Sequence, residues 1–254
     1  MATRSPADIR NIVLVGASGS GKTTITERLL FDTKTTTRMG SVQEGNTVSD
    51  YSEEEKAHKH SLSPSIVHFD FENHTVNLID TPGLGDFIGH AIACFPPAET
   101  VAVVIDPVKG IDSVTRRLMA VAEERRLPRM IIINKIDEST ADLEALVEQI
   151  RATFGPTCLP ITLPKPGRED VVNVFEHDGS DDAGDDAEFS SVHEAHKAII
   201  EQVVEIDEEL TDVYLEKGEA FDREKLHATF EKCLEDAHLI PITFCSAKTG
   251  AGIS

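Results

Sequence analysis

The chain has 254 residues, room for one large α/β domain or a domain carrying an insertion. With 40% hydrophobic residues but no Trp and only 5% aromatics, its core must be mostly aliphatic. A formal charge of −21 argues against a nonspecific binder of nucleic-acid backbone, which needs a basic footprint, and reads first as solubility.

Cys94, Cys158, Cys233 and Cys245 are dispersed with no CxxC, which fits a reducing compartment better than a disulfide framework or a zinc site. The opening MATRSPADIR lacks the apolar stretch of a signal peptide, and no run approaches the length of a membrane span. The expectation is a cytoplasmic monomer with no membrane association and no direct sequence-specific DNA binding.

The first element, NIVLV, is a short β-branched run that reads as a buried parallel strand. GASGSGK follows as a glycine-rich turn, and TTITERLLF then opens an amphipathic helix. Residues 32–63 are polar and broken by Gly, and read as a long mobile loop. SIVHFDF and TVNLID, joined by Glu72-Asn73-His74, predict a hairpin. VAVVID and MIIIN are two more buried strands. Between them, SVTRRLMAVAEERR has helical spacing, with Leu118, Met119, Val121 and Ala122 on its apolar face. ADLEALVEQIRATF is a further helix.

From about Cys158 the character changes. GREDVVNVFEHDGSDDAGDDAE ends acidic and Gly-punctuated, as a flexible loop does, and two helical stretches follow it. LIPITFCSAK then returns to buried-strand character. The alternation predicts a P-loop NTPase fold: three α/β/α layers, a mostly parallel sheet and a smaller α+β inserted subdomain. Its expected boundaries are 1–157 and 239–254 for the main domain and 158–238 for the acidic insertion.

Four motifs carry chemistry. Gly16-Ala17-Ser18-Gly19-Ser20-Gly21-Lys22-Thr23 matches GxxxxGK[ST], with Thr24 next in the helix. Its glycines let backbone amides turn toward a phosphate, Lys22 supplies a charge to the outer phosphates, and Thr23 offers a hydroxyl to Mg²⁺. Asp80 ends a strand, as the Mg²⁺-side acid of such a site does, reaching the metal through water, and the amide of Gly83 is placed to meet a γ-phosphate. Asn134-Lys135-Ile136-Asp137 selects the base. The Asp137 carboxylate can accept from N1–H and the 2-amino group of guanine, whereas adenine lacks both donors. Lys135 can lay its stem along the purine, and Ser246-Ala247-Lys248 can supply backbone donors to the guanine oxygen. The expected ligands are GTP or GDP with Mg²⁺.

With these motifs in order, the chain resembles the G domain of a translational GTPase, most nearly elongation factor G and its elongation factor G-like paralogues. GASGSGKT, DTPG followed by DF, NKID and SAK carry the resemblance, together with the stretch from VAVVID to NKID. The resemblance implies a ribosome-linked GTPase, with a ribosomal stalk protein as the partner of the insertion. It also implies further domains beyond AGIS, so a fragment or truncated product is expected, with a sheet face left exposed where a last helix would lie.

Two departures bear on mechanism. The family's Mg²⁺-ligating switch I threonine falls, by alignment back from DTPG, on Ser61, which keeps a hydroxyl. The histidine that orients the attacking water in translocating factors is replaced by Leu84, which can move no proton. His58, His60 and His90 lie nearby and read as solvated. The leading expectation is a Mg²⁺-dependent GTPase in which Lys22 and Gly83 act on the phosphates. The alternative is a regulatory GTP-binding module with little hydrolysis.

Overall fold

The computed structural model describes residues 5–138, 140–176, 187–217 and 222–253. The flexible loop expected at the acidic end of the insertion lies, from 177 to 186, outside the described residues.

Strand β1 (Ile9–Val15) runs into the glycine turn and helix α1 (Lys22–Asp32). A short α2 (Glu53–His58) precedes β2 (Ser65–Phe71) and β3 (His74–Asp80), which pair antiparallel across a turn with Glu72 at φ 50°. Then come α3 (Ile88–Ala93), β4 (Thr100–Ile105), α4 (Ser113–Glu124), β5 (Arg129–Ile133) and α5 (Leu143–Phe154). The 158–238 segment contains β6 (Cys158–Pro160), β7 (Thr162–Pro164), β8 (Val171–Asn173), α6 (Val192–Val204), α7 (Glu208–Lys217) and α8 (Arg223–Glu235). β9 (Ile240–Phe244) closes the order.

The main sheet has seven strands in the order β2-β3-β1-β4-β5-β9-β6, and every pairing except β2–β3 is parallel. β6 thus belongs to this sheet, whereas β7 and β8 form a separate antiparallel pair. Helices cover both faces, so the strands are apolar at successive positions rather than alternating. Val13, Val15, Val101, Val103, Ile105, Ile131 and Ile133 face one core with Leu118, Met119 and Ala122 of α4 and Leu146 and Ile150 of α5. Leu14, Ala102 and Val104 point to the other, with Ile25 and Leu30 of α1 and Val67 and Phe69 of β2. The first core runs without a break into the inserted segment through Val172, Val174, Ile199 and Val203.

Helix starts follow local chemistry. Asp112 caps α4 by accepting from the Thr115 amide at 2.7 Å, and Asp142 caps α5 through Ala145 at 3.0 Å. The 32–63 stretch, expected as loop, carries α2 because Ser52 and Glu55 form a reciprocal capping box. The Glu55 carboxylate also accepts from the amides of Leu62 and Ser63. No helix among the described residues is long and apolar enough to cross a membrane.

Leu118 is fully buried between α4 and the sheet. Leu118→Ala is expected to cost about 3 kcal/mol, read as a lower urea midpoint with an unchanged denaturant slope.

Candidate functional site

Parallel strands place their carboxyl ends at one edge of the sheet, and the chain crosses from β3 past β1 to β4 there, the switch point where such sheets bind ligands. The glycine turn after β1, DTPG after β3, NKID after β5 and SAK after β9 therefore converge although up to 230 residues separate them.

The turn is shaped by contacts that only glycine allows. Gly16 has φ 136°, and a Cβ there would stand 2.3 Å from the Val104 carbonyl oxygen. Gly83 presses on the turn from the other side, where a Cβ would come within 2.6 Å of the Ser18 amide and 2.5 Å of Lys22 Nζ. Lys22 Nζ donates to the carbonyls of Gly16 and Ala17, both at 2.9 Å.

A chain of oxygen groups lies beside this lysine. Thr23 Oγ1 donates to Asp80 Oδ2 at 2.7 Å and stands 3.4 Å from Ser61 Oγ, which donates to Asp50 Oδ1 at 2.6 Å. Asp80 Oδ1 is buried with no partner at normal hydrogen-bond distance, although the Ser49 hydroxyl lies near enough to favour the ionised carboxylate. An orphaned carboxylate oxygen beside two hydroxyls and a second carboxylate is a hard oxygen set, which fits Mg²⁺. Burial pushes the Asp80 carboxyl up to about 6 despite Lys22 and Thr23, and lowers the Lys22 ammonium to about 8 despite Asp80. Burial also raises Asp50.

At the other end Asn134 serves as a cross-brace. Its Nδ2 donates to Ser20 O at 3.0 Å and its Oδ1 accepts from the Ala247 amide at 3.0 Å. The Ala247 donor is thus engaged within the protein, and Lys248 is the member of the SAK triplet besides Ala247 that lines the cavity. The Ser246 hydroxyl accepts from the Thr249 amide at 3.2 Å. Lys135, at φ 62°, donates to Gly19 O and to Asp106 Oδ2, each at 2.7 Å. Burial works against the charge on Asp106, and Lys135 overcomes it, holding the carboxyl below its usual range. Asp137 lines the cavity, and its Oδ1 is buried without a partner. That orphan fits the paired N–H donors of guanine.

Two adjoining cavities connect these ends. One of about 520 Å³ is walled by Asn134, Lys135, Asp137, Ala247 and Lys248 on one side and by Met39 to Gln43 and Thr47 on the other. The second, about 330 Å³, holds Ser18, Gly19, Lys22, Thr23, Asp50, Ser61 and Gly83, and Gly21, Thr24 and Lys135 line both.

Several residues here escaped the motif reading. Asp50, Lys59 and His60 line the phosphate-side cavity, while Leu84 does not. Glu27 is buried, and its carboxylate accepts from the amides of Gly40 at 2.9 Å and Val48 at 2.5 Å. It thereby clasps the neck of the loop that walls the larger cavity. Asp50 follows the polar stretch NTVS without any signature of its own, whereas the glutamate in TTITERLL was visible as a charge on a helix that must pack.

The elongation factor Tu GTP binding domain pattern matches residues 7–254. An elongation factor G-like protein of Mycobacterium tuberculosis is 34% identical over 97% of this chain and 36% of its own length. A mitochondrial ribosome-releasing factor 2 of Pongo abelii is 31% identical over 97% of this chain and 35% of its own. A crystal structure of a Thermus thermophilus protein superposes with a TM-score of 0.85 at 35% identity, covering 97% of this chain and 39% of that one. The chain spans about a third of the length of the curated relatives it matches.

Between pH 4 and 6 native Asp80 holds a proton that the unfolded chain releases, so its contribution to stability is lost as pH rises through about 6. Lys22 is depressed, so its contribution is lost as pH falls through about 8. The nucleotide-free protein is expected to show a stability trough near neutral pH, with limbs of up to about 1.4 kcal/mol per pH unit. Urea midpoints across about pH 4–10.5 measure it, and Asp80→Asn is expected to shrink the acid limb, to which the raised Asp50 also contributes.

Proposed function

The chain belongs to the elongation factor Tu GTP-binding domain family, and on that footing we propose that it binds GTP and GDP and hydrolyses GTP to GDP and phosphate, driving a conformational switch linked to the ribosome. One observation carries the nucleotide reading. Two buried carboxylate oxygens lack partners: one on Asp80, which lies behind the smaller cavity and accepts from its lining residue Thr23, and one on Asp137, which lines the larger cavity. One suits a cation beside phosphates, the other the donor edge of guanine. The relatives named for elongation factor G and for ribosome release are the basis for the ribosome as partner.

Thr23, Ser61, Asp80 and Asp50 would hold Mg²⁺, which when bound offsets negative charge on the outer phosphates. The amides of the 16–21 turn and the ammonium of Lys22 bind the same phosphates, and Lys22 is already desolvated, so its charge acts at low dielectric. Gly83 brings its backbone against the turn where a γ-phosphate would lie. Asp137 orients the purine, and the 39–47 wall excludes water from it.

Positioning the attacking water is the weak point. Leu84 lies outside the phosphate-side cavity and offers no polar group, which favours slow intrinsic turnover and supports the second reading, a GTP-holding module.

Single-turnover hydrolysis with and without ribosomes separates the two. Leu84→His is expected to raise the rate by roughly tenfold or more, and an unchanged rate counts against this account of the position. Asp137→Asn is expected to weaken GTP binding by roughly 100-fold and to shift preference toward xanthosine nucleotides. Competition of ATP against labelled GTP reads the same claim, and equal affinities would sink it.

A further inference from the structure

We infer that Arg168 is a positioning residue for purine recognition, bracing from the inserted segment the backbone on both sides of Asp137; this rests on the guanine reading above. Arg168 sits at φ 59° near the tip of the β7–β8 hairpin, where its amide donates to Lys165 O at 2.9 Å. Its guanidinium reaches out of that hairpin to the loop after β5. Nη1 donates to the carbonyls of Ile136 at 3.3 Å and Glu138 at 2.8 Å, and Nη2 donates to that of Ala141 at 2.8 Å. Nε and Nη2 donate to the two oxygens of Glu188 at 2.7 and 2.6 Å.

All five N–H donors of the fork are therefore engaged, on a side chain only 14% exposed. Glu188 is itself tied down, its amide donating to Pro164 O at 2.8 Å. The choice of acceptors is what points to recognition. The carbonyls of Ile136 and Glu138 belong to the residues flanking Asp137, so they set the direction of its side chain. On the strand side the Ile136 amide donates to Cys245 O at 3.2 Å. Asp137 is thus held from both sides while its own Oδ1 stays unpaired for a ligand.

A lysine keeps the charge and most of the stem but cannot span three carbonyls and a carboxylate. With Arg168→Lys, release of fluorescent N-methylanthraniloyl-GDP is expected to quicken roughly tenfold. The preference for GDP over inosine diphosphate, which lacks the 2-amino group, is expected to fall, while single-turnover hydrolysis of bound GTP stays unchanged. Glu188→Gln is expected to shift release and preference the same way by less, and it decides the matter if Arg168→Lys does not fold. A lower melting temperature with release and preference unaltered would mean that Arg168 merely staples the segment, and would overturn the inference alone. A wild type that binds ADP as well as GDP overturns the guanine reading, and the inference with it.

Discussion

Everything at the ligand end of this molecule answers to one constraint: Lys22 and Asp80 are both nearly inaccessible to water, and their mutual attraction does not repay the loss of hydration. A fold optimised for stability alone would not place them so. The pair persists because β1 and β3 are hydrogen-bonded neighbours within a sheet packed on both faces, and Asp80, ending β3, and Lys22, opening α1 after the turn from β1, sit where that packing leaves little contact with solvent. A phosphate group reaching Lys22 meets a charge that is already desolvated and already positioned. The energetic cost is carried by the empty protein, and binding relieves it.

Around that pair the structure uses braces whose atoms are directed at backbone. Asn134 spends both ends of its amide on the 16–21 turn and on Ala247, and Lys135 spends its ammonium on Gly19 and Asp106. Glu27 holds two amides of the loop opposite, and Arg168 holds three carbonyls behind Asp137. Among the described residues, the buried side-chain oxygens without a partner at this end include those of Asp80, Asp137, Ser20 and Ser49. Rigid support and unsatisfied chemistry are thus assigned to different residues.

Much of this is legible in the sequence, for physical reasons that also mark where legibility ends. Strands buried on both faces must be apolar at successive positions, so NIVLV, VAVVID and MIIIN announce themselves, and Leu118, Met119, Val121 and Ala122 lie buried as the helical spacing requires. The glycine turn is readable because few residues tolerate its backbone. The 32–63 stretch reads as plain loop and is not one. Its Ser52-to-Glu55 capping box is present in the sequence, but a helix of six residues has too little periodicity to be seen. Asp50 and Arg168 are invisible for a different reason. Their significance comes from contacts made across 11 and about 30 residues of chain, and no local pattern encodes the far end. Asn134 stands out in the sequence as part of NKID and lines the larger cavity, but the bracing contacts it also makes reach too far along the chain to be read there.

The position of β9 has a consequence for how the molecule is made. It is the last strand of this sheet in chain order, yet it lies inside the sheet, between β5 and β6. A nascent chain that has emerged only through α8 therefore holds β5 and β6 with a gap between them. It also lacks Ala247, one of the anchors of Asn134. The 16–21 turn leaves the ribosome first but waits for more than 200 further residues before its brace can close. The far anchor of the site thus depends on the β5–β9 pairing, the most non-local of this sheet, where loop-closure entropy is greatest. A nucleotide bound at these motifs would therefore favour chains in which β9 is already in place.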